Sequence, residues 1–242
     1  MPLKAILIRV GIDQTFGNWN APCNPETNDF VYVPIPQSNC LNAKGLEKFY
    51  KDSAVPALSS FSDRNGITID LPKHLKDQRM HLDPDFNHLS YGDTKDRGRV
   101  LLDFNEDDVL VFYSSYQSIE NRRPLVYALM GILRVESVKK VNNIAPQYFD
   151  ENAHTRYVER IPTDIVVKGK AVVSGRFKHC IPIGEFRNNS YRVRNDILEE
   201  WGDLTVNDGW IQRSANPPLF KKPEKFLSWL SKQNPVLINS NN

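Results

Sequence analysis

Cysteine is scarce in this chain: 242 residues contain only Cys23, Cys40 and Cys180, with no CxxC pair among them. An odd count at that spacing argues against a disulfide framework and against a cysteine-built structural zinc site, and predicts free thiols, buried or half-buried. Long hydrophobic runs are missing as well. Stretches such as "VLVFY" at 109–113 fall far short of the roughly 20 apolar residues that cross a bilayer. At the N-terminus, "MPLKAILIRVGID" offers four apolar residues before Arg9, too few for a signal peptide. A cytoplasmic location with no membrane partner is therefore expected. Charge of one sign is not in excess either: 31 Lys and Arg face 29 Asp and Glu, a net +2 that neither demands nor excludes nucleic acid. Where the arginines fall matters more than their total. No glycine-rich phosphate loop, nucleophile elbow, HExxH or dinucleotide fingerprint occurs. With no repeat, low-complexity segment or linker, a single domain over 1–242 is expected, its tail from about 234 to 242 frayed.

What is present reads as β-rich. "KAILIRVG" (4–11) is an opening buried strand, and "DFVYVPIP" (29–36) a second extended segment whose prolines place its far end at an edge or in a loop. The apolar runs at 109–113 and 125–135 are two buried strands joined by a polar connection. "TDIVVKGKAVVSGRF" (163–177) gives strands broken around Gly169 and Gly175. Helices are predicted from Asn195 to a closing Gly202 and over "KKPEKFLSWLSKQ", with Pro223 in its first turn. "NAKGLEKFYKDSAVPAL" holds one short helix at most, and Asn65-Gly66 reads as a hairpin-like turn. The fold class expected is α+β, a β-rich single domain around a mixed or antiparallel sheet.

Four polar clusters carry possible chemistry. In "HLDPDFNH", an extended chain puts His81, Asp83 and Asp85 on one face, fit to bind a cation or to move protons. The same letters also spell a helix start, with Asp83 as cap and Pro84 in the first turn. The residues leave a metal, a metal-free polar site and a helix cap all open, and no metal ligand is assigned. In "RVGIDQTFGNWN", Arg9 ends a strand, Asp13 sits on its exit loop, and Trp19 between two asparagines can stack on a base. "SGRFKHCIPIGEFRNNSYRVR" interleaves basic and aromatic residues around Arg176, as phosphate contact with base stacking requires, though a solvated strand face looks the same. In "GWIQRSANPP", Arg213 and Ser214 can hold a phosphate or carboxylate.

Taken together, "ILIRVGID", "HLDPDF…YGD", "DDVLVFY", "YALMGILRV" and "GRF…IPIGEFR…YRV…WGDL…GWIQRS" resemble the nucleotide-modification-associated domain family of the third type. The resemblance runs from about Leu3 to Leu230. It implies a role in making or handling modified bases of a nucleic acid or nucleotide, alone or with other proteins of a modification system, and it names no cofactor. Residue by residue it falls on Arg9, Asp13, His81, Asp83, Asp85, Arg176 and Arg213. A fainter similarity over 105–138 links the "VLVFY" and "GILRV" strands to PUA-like partial barrels, which bind RNA or modified bases without chemistry. Two readings follow. In the first, an enzyme uses His81, Asp83, Asp85 and Asp13 for proton transfer and Arg9, Arg176 and Arg213 for substrate. In the second, a non-catalytic reader stacks a modified base on Trp19, Tyr113 or Tyr116. For either reading to share one site, His81, Asp83 or Asp85 must meet Arg9 and Arg176 or Arg213 in a single pocket.

Overall fold

The apolar runs near positions 5, 110 and 130 are buried on both sides, which requires a sheet covered on both faces. A computed structural model, describing residues 2–37, 43–121, 123–212 and 216–242, places them at the centre of one. Its strands in chain order are β1 (Ala5–Arg9), β2 (Pro22–Cys23), β3 (Ile35–Pro36), β4 (Met80–His81), β5 (Ser90–Asp93), β6 (Val109–Ser118), β7 (Val126–Lys140), β8 (Ile165–Gly169), β9 (Gly175–Pro182), β10 (Gly184–Arg187), β11 (Ser190–Val193) and β12 (Leu237–Ile238). The helices are α1 (Tyr50–Asn65), α2 (Lys73–Lys76), α3 (Lys95–Leu102), α4 (Asn195–Trp201) and α5 (Pro223–Gln233). The main sheet is eight-stranded and mixed, ordered β1-β6-β7-β8-β5, with β2 beside β6, β9 beside β7 and β12 beside β9. β1 runs parallel to β6, and β7 is antiparallel to β6, β8 and β9. The protein is α+β, and among the described residues the sheet does not close into a barrel.

Alternation along the central strands builds two cores. Ile6, Ile8, Leu110 and Phe112 join a core on one face, which α1 covers with Tyr50, Ala54, Leu58 and Phe61. Ala5, Leu7, Val109 and Val111 join the other, covered by Ile197 and Trp201 of α4 and Phe226, Trp229 and Leu230 of α5. In β7 the parity switches: Tyr127 and Leu129 face the second core, but Leu133 and Val135 face the first. The register passes from Phe112–Gly131 to Tyr113–Leu129, so Met130 is the extra residue of a β-bulge.

Two expectations for the first third of the chain and the tail need correction. The hairpin at Asn65-Gly66 is instead the end of the sixteen-residue α1, with Gly66 left-handed and its N–H donated to the Ser62 carbonyl. Pro56 lies inside this helix on the solvent side, where the carbonyl it leaves unbonded can be hydrated, and the buried Tyr50, Ala54, Leu58, Phe61 stripe holds the helix in place. The tail is not frayed. β12 pairs with β9, Asn242 bonds both backbone groups of Tyr32, and Asn241 is buried against Asp85. Cys23 and Cys180 are free and buried; Cys40 lies outside the described residues. Among the described residues no helix is long and apolar enough to cross a membrane.

Candidate functional site

Strand alternation makes the core of the site. Met80 and Leu82 point into the first core, so the intervening His81 and the following Asp83 point the other way, into a cavity of about 260 Å³. The chain then turns, and no helix begins there. The helix-cap reading of "HLDPDFNH" is thereby corrected: the Asp83 carboxylate accepts the Gly92 N–H at 2.9 and 3.1 Å, across the turn that leads into β5, and an amide hydrogen of Asn152 at 3.0 Å.

The third member comes from far along the chain. His154 sits on the loop after a 3-10 helix, Pro146–Glu151, and lines the same cavity. Asn152 ties it to Asp83, since its side-chain oxygen accepts the His154 N–H at 2.9 Å while its amide donates to Asp83. Behind the ring, Nδ1 lies 2.5 Å from the buried Asp164 carboxylate, which turns Nε2 toward the cavity. His154 Nε2 stands 3.6 Å and His81 Nε2 3.9 Å from Asp83 Oδ2, and the two rings meet edge to face at 5.0 Å. Tyr157, which accepts a hydrogen bond from Gln37, approaches His81 Nδ1 at 3.5 Å. Both imidazoles and the carboxylate are nearly closed off from solvent except through this cavity.

The electrostatics follow from that burial. Burial pushes the Asp83 carboxyl up to about 7, against the pull of His154 and its two hydrogen-bond donors. Burial, reinforced by the His154 and Arg156 charges, drives His81 well below the ordinary imidazole range, so it stays neutral with a free lone pair. For His154, burial opposes the charge, but the Asp164 hydrogen bond and the Asp83 and Asp164 charges outweigh it and raise its pKa. Neighbouring groups are thus shifted in opposite directions, His81 down and Asp83 and His154 up.

Two cations line the same cavity. Arg9, at the end of β1, pairs with Asp13 at 3.0 Å, donates to Ser115 at 2.8 Å and lies over the Tyr127 ring. Arg97 of α3 pairs with Asp93 at 2.9 Å and donates to the Tyr91 hydroxyl. His81, Asp83 and Arg9 line one cavity, but the expected meeting also called for Arg176 or Arg213, and Arg176 does not join them. Arg176 is elsewhere. It lines a separate cavity of about 870 Å³ with Arg64, Lys178 and His179, and its guanidinium donates to the Ser240 and Phe177 carbonyls. Among its described lining residues that larger space gathers no pair of imidazoles with a carboxylate. Arg213 and Ser214 lie outside the described residues.

Other expected site residues take structural positions. Asp85 faces away from the cavity and is fully buried, bonded to Arg156 at 2.5 Å, to His88 and to Asn241. Asp13 accepts the N–H groups of Thr15 and Phe16 besides holding Arg9. Tyr113 and Tyr116 are corrected as stacking candidates: both are core residues at 2% and 1% exposure, with no face open to a base. Trp19 is half-buried and packs against the first core. His154, Asn152, Asp164 and Arg97 were missed from sequence. Only one signal pointed to His154: a His-x-Asp pair lacking a third ligand directs attention to the remaining histidines.

The sequence profile described as nucleotide modification associated domain 3 matches residues 4–221, and the chain belongs to that family. Comparison with curated proteins and with solved structures yields no match.

Proposed function

We propose that this protein is an enzyme that modifies the base of a nucleic acid or nucleotide, with its chemistry in the cavity of His81, Asp83 and His154. The observation that carries the reading is convergence. Arg9, His81 with Asp83, Arg97 and His154 come from four separate stretches of the chain and line one small space. Local structure does not require that meeting. The family description, nucleotide modification associated, supports the substrate class. The cavity, at about 260 Å³, lies just under the roughly 300–1,000 Å³ of small-molecule sites and suits one ring rather than a whole nucleotide. His81 and Asp83 serve as the reacting protein groups, and His154 completes them. Arg9 and Arg97 hold a carbonyl or phosphate oxygen of the substrate. Asp13 acts through Arg9, and Asp85 through the loop of His154, as positioning residues. Arg176 and the basic residues around it suit the backbone of a longer substrate. A non-catalytic reader is less well supported, because two of its three aromatic candidates are buried.

The discriminating experiment compares nucleosides by mass spectrometry in cells with and without the gene, then assays purified protein on the affected nucleic acid. His81→Ala is expected to abolish turnover while retaining ligand binding. A wild-type protein that binds but never turns over any substrate identified this way would establish the reader.

A further inference from the structure

We infer that His81, Asp83 and His154 form a binding site for one divalent first-row transition-metal ion, with its remaining coordination positions open to the cavity. The inference goes beyond the proposed function and does not depend on it. Three donor atoms, two imidazole nitrogens and one carboxylate oxygen, lie within 4.8 Å of one another. The separations of 3.6 and 3.9 Å to Asp83 Oδ2 are too long for hydrogen bonds. They approach what an ion requires: ligands at about 2.0–2.2 Å around one centre stand roughly 3.0–3.5 Å apart, so side-chain rotations bring the three donors, all within 4.8 Å, to one centre. Neither Nε2 makes a hydrogen bond within the described residues, and each ring's other nitrogen already faces a protein group, Asp164 for His154 and Tyr157 for His81.

The outer shell agrees. A carboxylate behind a histidine fixes its tautomer and strengthens it as a ligand, and Asp164 stands in that position. Asp83 is oriented by the Gly92 N–H, shared between Oδ1 at 2.9 Å and Oδ2 at 3.1 Å, and by the Asn152 amide on Oδ1, so Oδ2 keeps a further lone pair for the cavity. Gly92 is part of the device: a Cβ there would lie 2.4 Å from His154 Cδ2 and 2.7 Å from the Asn152 oxygen. Two nitrogens and one oxygen suit iron, manganese, cobalt or zinc rather than calcium or magnesium, which take all-oxygen shells. Three protein ligands leave positions for water or substrate, as at metal centres that react rather than only brace a fold.

The test needs no substrate, so its outcome is separate from that of the proposed reaction. Full-length protein stripped with chelator is titrated with Zn²⁺ and Co²⁺ by calorimetry, and Zn²⁺ binding is followed by imidazole ¹⁵N NMR. One equivalent is expected, with the Nε2 resonances of His81 and His154 shifting and those of the exposed His74 and His179 unmoved. Asp164→Asn is expected to weaken affinity about 10- to 100-fold while leaving the three ligands in place. His81→Ala is expected to abolish binding. The NMR assignment in the unaltered protein decides the matter should that variant fail to fold. Substoichiometric binding, or shifts confined to His74, His88 or His179, would overturn the inference.

Discussion

Arg156 is about as buried as a charged residue can be, at 1% exposure, and its partner Asp85 is equally enclosed. Removing one side of such a pair leaves an uncompensated charge in the interior, at a cost of about 3–5 kcal/mol. Arg156→Met is therefore expected to lower urea-unfolding stability by that order, and to weaken the site, because Arg156 also bonds Asp150 and sits two residues from His154. Burial works against the Asp85 charge, but the His88 hydrogen bond, the Arg156 charge and Asn241 outweigh it and hold its pKa below the ordinary 3.8. A group so depressed stabilises the fold above its unfolded value and loses that contribution as pH falls through the folded one. The stability gap between wild type and Asp85→Asn should thus be widest near neutrality and narrow below about pH 4, checked by unfolding curves across pH. The thiols give a second residue-scale prediction. Burial lifts Cys23 to about 12 and Cys180 well above the usual thiol range. Neither should be alkylated by iodoacetamide at pH 8 in the folded protein, and both should be after denaturation, as peptide mapping will show.

At the scale of elements, much was legible because the main strands carry continuous apolar runs, α4 closes on a glycine and α5 opens on a proline. β1, β6, β7, α4 and α5 lie where the pattern put them. α1 was hidden by Pro56, which reads as a stop but lies on the solvent side of a helix fixed by its buried stripe. The bulge at Met130 was invisible, since an apolar run buried on both faces gives no parity signal to break. It has a consequence at Gly131, where a Cβ would meet the Phe86 ring at 2.6 Å and the Gly175 carbonyl at 2.9 Å. Gly131→Ala should cost about 1–3 kcal/mol in denaturant unfolding, through overpacking at the sheet centre. Gly92→Ala should behave differently. It sits in β5 beside His154 and Asn152, so the far-UV circular dichroism should be kept while metal affinity and turnover fall tenfold or more.

Over the whole molecule, the sheet separates two cores and leaves the cavity among the end of β1, the β4–β5 turn, the start of α3 and the 152–157 loop. His81, Asp83 and Arg9 were readable as a polar cluster because an extended His-x-Asp points its two side chains the same way and Arg9 ends a buried strand. His154, Asn152 and Asp164 were not, because their polar neighbourhood is buried by tertiary packing that no local pattern announces. Arg176 lies apart for a related reason: its basic, aromatic-rich stretch divides among β9, the β10–β11 hairpin and the cap of α4, whose charges are met by separate acids such as Asp208 and Asp196. The central claim is that the reacting centre lies at His81, Asp83 and His154. Its most direct test is nucleoside mass spectrometry of cells carrying either the wild-type gene or His154→Gln at matched, folded protein levels. A modified base present with the wild type and absent with His154→Gln is predicted; the same modified base at equal abundance in both would contradict the account.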